Sequence, residues 1–188
     1  MTGFTIRPAK PDDAHEIAEI HYAGWRNAYG SVVPPEQMAK KQPEKRVPFW
    51  QGRIARADEI VLVAQDEAGR MQGFLHGGPV LPHDIRSGGL AGFDCEIYVL
   101  HCRKEMQGKG LGRLLITAAA REFQRRGNSA LVLWAYTDNA YRPFYGKLGG
   151  AMVAEGFDEG VADVAYGWRL NDLVEGGLAF RAGRDGSR

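Results

Sequence analysis

Apolar and polar positions switch between two periods along the chain, and the switching predicts a mixed α/β order. Residues 4–7 (FTIR) read as a short strand stopped by Pro8 and Pro11. Asp13 reads as a helix N-cap, with Glu16 three residues on as its partner. Ile17, Ile20, Gly24 and Ala28 then recur at helical spacing, which predicts an amphipathic helix to about Tyr29, ended at Gly30. An irregular stretch follows, and 47–57 reads as a further short helix. Residues 59–65 (EIVLVAQ), the turn DEAGR and the segment MQGFLHG form a hairpin. Residues 77–92 hold five glycines and two prolines and read as a loop. The strongest strand pattern is 93–102 (FDCEIYVLHC). A glycine-rich turn and a helix from about Leu111 come next, with Leu111, Leu114, Leu115 and Ala118 on one face and Gly127 as its stop. ALVLWAY (130–136) reads as a buried strand, 139–148 as a short helix, and AMVAEGF with VADVAYGWRL as a last antiparallel pair. This order contains a βαβ unit at 93–136, no internal repeat and no linker. A single domain is expected over 1–175, with 176–188 (Gly/Arg-rich) a flexible tail.

Composition narrows the classes. At 188 residues the chain suits one domain that buries its core without disulfides or metals. Lys and Arg number 24 against 23 Asp and Glu, a net charge of +1, which argues against a polybasic nucleic-acid footprint and an acidic solvating tail. No apolar run approaches the ~18–20 residues of a membrane span. The opening MTGFTIRPAKPDD has no basic segment followed by an apolar one, so no secretory signal is expected. The two cysteines, Cys95 and Cys102, are too far apart to bridge if they share one strand at about 3.3 Å per residue. There is no CxxC, and the five histidines are scattered, so no metal site is expected. The expectation is a reduced, cytoplasmic protein with neither nucleic acid nor membrane as partner.

The candidate chemistry centres on Gln107-Gly108-Lys109-Gly110-Leu111-Gly112, between a strand and an amphipathic helix. Glycines let a ligand approach the backbone, and the unpaired first N–H groups of a helix carry the positive end of its dipole, which suits a phosphate. Arg103, Lys104, Lys109 and Arg113 against Glu105 give this segment a local charge of +3. A Walker loop needs Ser or Thr after its lysine, and Gly110 stands there; a dinucleotide fingerprint begun at Gly108 needs glycine at 113, and Arg113 stands there. What remains is Q-x-x-G-x-G, either an anion-binding loop or an ordinary strand-to-helix glycine turn.

Here the sequence resembles the Gcn5-related N-acetyltransferase family, whose acetyl-CoA loop is R/Q-x-x-G-x-G/A. DNAYRPFYGKLGG (138–150) is similar to the family's DNxxxxFYxxLGG segment and follows ALVLWAY in the family's order. EIYVLHC fits its acidic-residue strand, and HYAGWRNAYGSVVP resembles the Trp–Tyr substrate segment of one subset. The likeness covers about 4–170. Cys102-Arg103-Lys104 departs from the usual Val-x-Pro-like step, and Gln107 replaces the commoner arginine.

The resemblance implies an α/β fold with a mixed, mostly antiparallel central sheet flanked by helices on both faces, and acetyl-CoA as co-substrate. It implies acetyl transfer from the thioester to a primary amine by direct attack, with Glu96 as general base, directly or through water, and Tyr145 as general acid. Read as residues alone, Glu96 shares a strand face with Asp94, Tyr98 and Leu100, Asp94 being the reserve base, and Tyr145 could equally be a core aromatic. Leu100, His101 and Cys102 would bond the pantetheine arm through their backbone, as an added strand does. Gln107, Gly108, Lys109, Gly110, Leu111 and Gly112 would hold the diphosphate, and Asn139, otherwise a helix cap, the cofactor arm. Trp25 and Tyr29, four apart on one helix, either line an acceptor pocket or belong to the core. His83, Asp84 and Arg86 receive no role. The acceptor is a small-molecule or peptide amine of unspecified identity, acetyl against longer acyl is open, and so is oligomeric state, a homodimer included. The alternative is a non-catalytic acyl-CoA-binding sensor module.

Overall fold

A computed structural model of the protein describes residues 3–29, 39 and 42–175. The expected stop at Gly30, most of the irregular stretch after it and the expected tail at 176–188 lie outside them. The chain divides into two compact units, Met1–Pro79 with Ile97–Leu115, and Val80–Glu96 with Ile116–Arg188.

The first unit is built on β1 (Thr5–Pro8), β2 (Ile60–Gln65) and β3 (Met71–Gly78), joined in antiparallel order. β3 is buried throughout and β2 nearly so, which is why β2 reads as an apolar run and not as an alternating one, while β3 buries Gln72 and His76 among its apolar residues. α1 (Ala14–Tyr29) and α2 (Pro43–Ile54) cover them. Ile17, Ile20, Trp50, Val63 and Phe74 form the core there, each such large apolar side chain contributing roughly 1.5–3 kcal/mol.

Two helix starts differ from expectation. A 3-10 turn, Pro11–Asp13, precedes α1. The Asp13 carboxylate turns back to accept the Lys10 N–H at 2.6 Å and the Arg7 guanidinium at 2.7 and 2.9 Å, and Glu16 pairs with Arg103 at 2.9 Å. Asp13 thus caps the turn before α1, as its third residue, and not α1 itself, and Arg103 takes the Glu16 carboxylate expected as its partner. α2 starts at Pro43, earlier than expected, because proline at a first helical position forfeits no hydrogen bond.

The second unit holds β4 (Asp84–Gly88), β6 (Ala130–Tyr136), α4 (Pro143–Lys147), β7 (Ala151–Asp158) and β8 (Val161–Arg169). β5 (Cys95–Cys102) and α3 (Leu111–Arg125) each contribute to both units. Strand order in the sheet is β1-β2-β3-β5-β6-β8-β7-β4, and the pairs β6–β8, β8–β7 and β7–β4 are antiparallel.

β4 corrects the loop expected over 77–92. It is an edge strand exposed at every residue, so its side chains carry no periodic pattern. On α3 the buried stripe is Leu111, Leu115, Ile116, Ala119, Ala120 and Phe123, whereas Leu114, expected on that face, is 46% exposed. The helix expected over 139–148 contracts to α4, preceded by turns in which Arg142 donates to the Asn139 carbonyl and Phe144 to that of Tyr141. No helix among the described residues is long and apolar enough to cross a membrane.

Candidate active site

The glycine loop leaves β5 through a short 3-10 turn, Lys104–Met106, and enters α3 at Leu111. Gly108 has φ +72° and Gly110 φ +85°, left-handed values that exclude most side chains. A Cβ at either would meet open space, so the backbone there is bare and approachable. The Gly110 carbonyl takes the first helical bond, from the Leu114 N–H at 3.1 Å, which makes it the cap of α3. Leu111 is buried and anchors the first turn, Gly112 follows in it half-buried, and Lys109 is exposed. The Gln107 N–H donates to the Lys104 carbonyl at 3.2 Å. Arg103 is withdrawn from the local positive charge. Its guanidinium donates to the Met71 carbonyl at 2.7 Å and to Glu16.

Leu100, His101 and Cys102 are half-buried on β5. The His101 ring lies where a Cβ on Gly24 would collide with it, and it packs near His21 and Phe74, so the side chain serves packing. Burial pushes the Cys102 thiol up to about 12. The Cys95 thiol is raised by burial and then by the charge of Asp94. Neither is a thiolate near neutral pH. Trp25 is half-buried with its ring edge toward His21. The side chain of Tyr29 lies outside the described residues.

Glu96 is buried on β5, at 3% exposure. One oxygen accepts the Leu81 N–H at 2.9 Å, and both lie within 2.9–3.0 Å of His83 Nε2. The His83 ring lies against Trp134, with centroids 4.8 Å apart. Burial disfavours the His83 imidazolium, but Glu96, Asp163 and Asp158 outweigh it and hold His83 above the usual histidine range. Asp94, on the same strand parity, is engaged elsewhere: its carboxylate accepts the Ser129 N–H and hydroxyl and the Ala130 N–H at 2.8–3.1 Å. Those bonds outweigh burial and hold its carboxyl below the usual range.

Tyr145, on α4, is buried with its ring against Phe144, Tyr166 and Trp168. Tyr166 pairs with Leu133 across β6 and β8, whereas Trp134 pairs with Ala165. Alternation therefore puts Tyr145 and the His83–Trp134 stack on opposite faces of these strands. Asn139 Oδ1 accepts the Tyr141 N–H at 2.9 Å, closing the turn that leads to α4.

Two residues of this region were not read from the sequence. His83 stands 13 positions from Glu96 across a glycine- and proline-rich segment, and no local pattern signals the pairing. Asp163 is 4% exposed on an otherwise apolar strand, with Oδ1 lacking a partner. Its signal is a carboxylate inside the apolar segment VADVAYGW, a pattern that Glu96 shares within CEIYVL.

A family model described as FR47-like protein matches residues 87–157. An uncharacterized N-acetyltransferase of Bacillus subtilis, YuaI, is 30% identical over 168 residues, which span 87% of this chain and 92% of that one. Among solved structures, the PaiA N-acetyltransferase of Thermoplasma acidophilum in complex with coenzyme A aligns with TM-score 0.67 at 18% identity, over 88% of this chain and 99% of that one. YncA of Salmonella typhimurium, solved with acetyl-CoA, aligns with TM-score 0.62 at 23% identity, over 90% and 95%. With a relative at this identity over nearly its whole length, and the expected order of strands, glycine loop and helices, the chain belongs to the Gcn5-related N-acetyltransferase family.

Proposed function

We propose that the protein moves an acetyl group from acetyl-CoA to a primary amine. The observation that carries this reading is the glycine loop: two left-handed glycines with open space over them, at the start of a 15-residue helix. Bare N–H groups at a helix N-terminus fit a diphosphate, and the exposed Lys104 and Lys109 add charge that complements it. Gln107, Gly108, Lys109, Gly110, Leu111 and Gly112 would hold that end of the molecule. The backbone of Leu100, His101 and Cys102, and the side chain of Asn139, would meet the arm.

Acetyl-CoA supplies an acyl carbon activated by its thioester. The protein has three tasks around it. An alkylammonium holds its proton to a pH of about 10, so the proton must be removed near neutral pH. Glu96 is on the proton-accepting side. A backbone N–H of β5 would donate to the oxygen on which charge develops. Tyr145 would return a proton to the departing sulfur, whose conjugate thiol has a pKa of about 8.5. Proton loss occurs at nitrogen and proton gain at sulfur, so the two tasks fall to two different residues. Direct attack is favoured over an acyl-cysteine route, because burial holds both thiols protonated.

The test is thiol release from acetyl-CoA with a panel of amino acids, polyamines, aminoglycosides and short peptides. Release with at least one class is expected. Tyr145→Phe should lower kcat by roughly 10–100-fold with KM for acetyl-CoA within about twofold. Unchanged kcat would remove Tyr145 from the chemistry. Tight acetyl-CoA binding with no release for any amine would leave a binding module instead.

A further inference from the structure

We propose that His83 is the group that takes the proton from the acceptor amine, and that Glu96 acts through it as a positioning residue. This rests on the N-acetyl-transfer reading above. The side chain of Glu96 is 3% exposed, whereas that of His83 is 19% exposed. Glu96 spends its oxygens inward: one on the Leu81 N–H, both on His83 Nε2. The carboxylate therefore grips the ring and the loop that carries it, and the imidazole is the basic group nearer solvent.

The geometry fixes the ring from two sides. Glu96 holds Nε2, and Trp134 lies along the ring at a 31° interplanar angle. Against an ionised carboxylate the bridging hydrogen belongs to Nε2, which leaves the lone pair on Nδ1. A carboxylate that orients an imidazole and stabilises its cation is the second half of a catalytic dyad. The surrounding charges favour the cation as well. Glu96, Asp163 and Asp158 all raise the proton affinity of His83, while Arg86, three residues on in β4, is paired with Glu155. Half-burial pulls the other way and offsets part of that gain.

An N–H bond of the alkylammonium breaks and its proton moves to Nδ1, giving an imidazolium against the Glu96 carboxylate. The lone pair of the neutral amine forms the N–C bond, and the C–S bond breaks with its electron pair on sulfur, which takes the Tyr145 phenol proton. The second nitrogen proton leaves as the amide forms and returns through water to the Tyr145 phenolate, and His83 gives its proton to water, so the products are the amide, the free thiol and one released proton.

The experiment uses acetyl-CoA and the fastest acceptor of the amine panel, with kcat/KM measured against pH. His83→Ala should lower kcat at pH 7 by roughly 10²–10⁴-fold with the acceptor KM little changed, and 4-methylimidazole should restore part of the rate. His83→Gln, which keeps a polar group against Glu96, should be equally slow while melting near the parent temperature. Glu96→Gln should retain some activity and shift the acidic limb of the profile to lower pH, because the imidazolium has lost its carboxylate. The proposal is overturned if His83→Gln retains activity within about threefold, or if Glu96→Gln abolishes turnover and leaves no titrating limb. Silence of the parent protein with every amine would overturn the transfer reading itself, and is distinct from activity that survives loss of His83.

Discussion

Asp163 folds at a cost. Its side chain is buried and Oδ1 has no partner, and burial, followed by the nearby charge of Asp158, raises its carboxyl to about 6. Below a pH of about 4 the folded and unfolded chains both hold this proton. Between about 4 and 6 only the folded chain does, so this group's contribution falls as pH rises through that window, and the full cost is present at pH 7. Asp163→Asn should therefore stabilise the protein at pH 7 by about 1–2 kcal/mol, the lower figure allowing for solvent screening, with the gain vanishing near pH 4. Thermal melts of both proteins at the two pH values check this; equal melting temperatures at pH 7 would mean the carboxylate is compensated. At this scale the site was partly legible. Glu96 was reached through the family resemblance, although a carboxylate buried on an apolar strand is rare in itself, and Asp163 obeys the same rule without a motif to point to it. Asp94 shared Glu96's parity, yet its oxygens cap the start of β6. The His83 contact depends on how a glycine-rich segment returns across the sheet, which side-chain spacing does not encode.

Left-handed glycines bracket α3, with Gly110 at φ +85° before it and Gly127 at φ +89° after it. Alanine at either position costs backbone strain of about 1–2 kcal/mol. Only Gly110 lies in the proposed anion loop, so the two variants separate folding from binding. Both should lose similar stability in urea titrations. Gly110→Ala should weaken acetyl-CoA binding by roughly tenfold or more by displacing the loop amides, and Gly127→Ala should leave it within about twofold. Equal affinity of both variants for acetyl-CoA would detach the loop from the cofactor. Elements with a strong local signal were legible: β2, β3, β6, β8 and α3 stand where apolar runs and glycine stops put them. β4 was not, because an exposed edge strand needs only its partner β7 and no apolar face. Helix starts shifted where tertiary partners intervened, Asp13 with Arg7 and Glu16 with Arg103. Leu114 faces outward because Ile116 and Phe123 draw the buried stripe to the other side.

A net charge of +1 gives the whole molecule little long-range attraction for a polyanion. On the proposed reading, affinity for coenzyme A then comes from fitted contacts: main-chain amides at the loop, and the backbone of β5 along the pantetheine arm. A ligand that binds only the folded chain stabilises it by mass action, about 2.7 kcal/mol at one hundred times its Kd. In a protein of 188 residues that corresponds to a rise in Tm of roughly 5–10 °C. Acetyl-CoA should produce such a rise. ATP and NAD at equal concentration carry phosphates but no pantetheine, and the loop has neither the Ser/Thr of a Walker motif nor glycine at position 113. Their shifts should be no more than about a third as large. Raising salt tenfold should shrink the acetyl-CoA shift only partly, because salt screens the lysines and the helix N-terminus but not the uncharged β5 backbone contacts. If ATP protects as well as acetyl-CoA, and salt erases both effects, the loop is a generic phosphate trap and the assignment of β5 to the pantetheine arm fails.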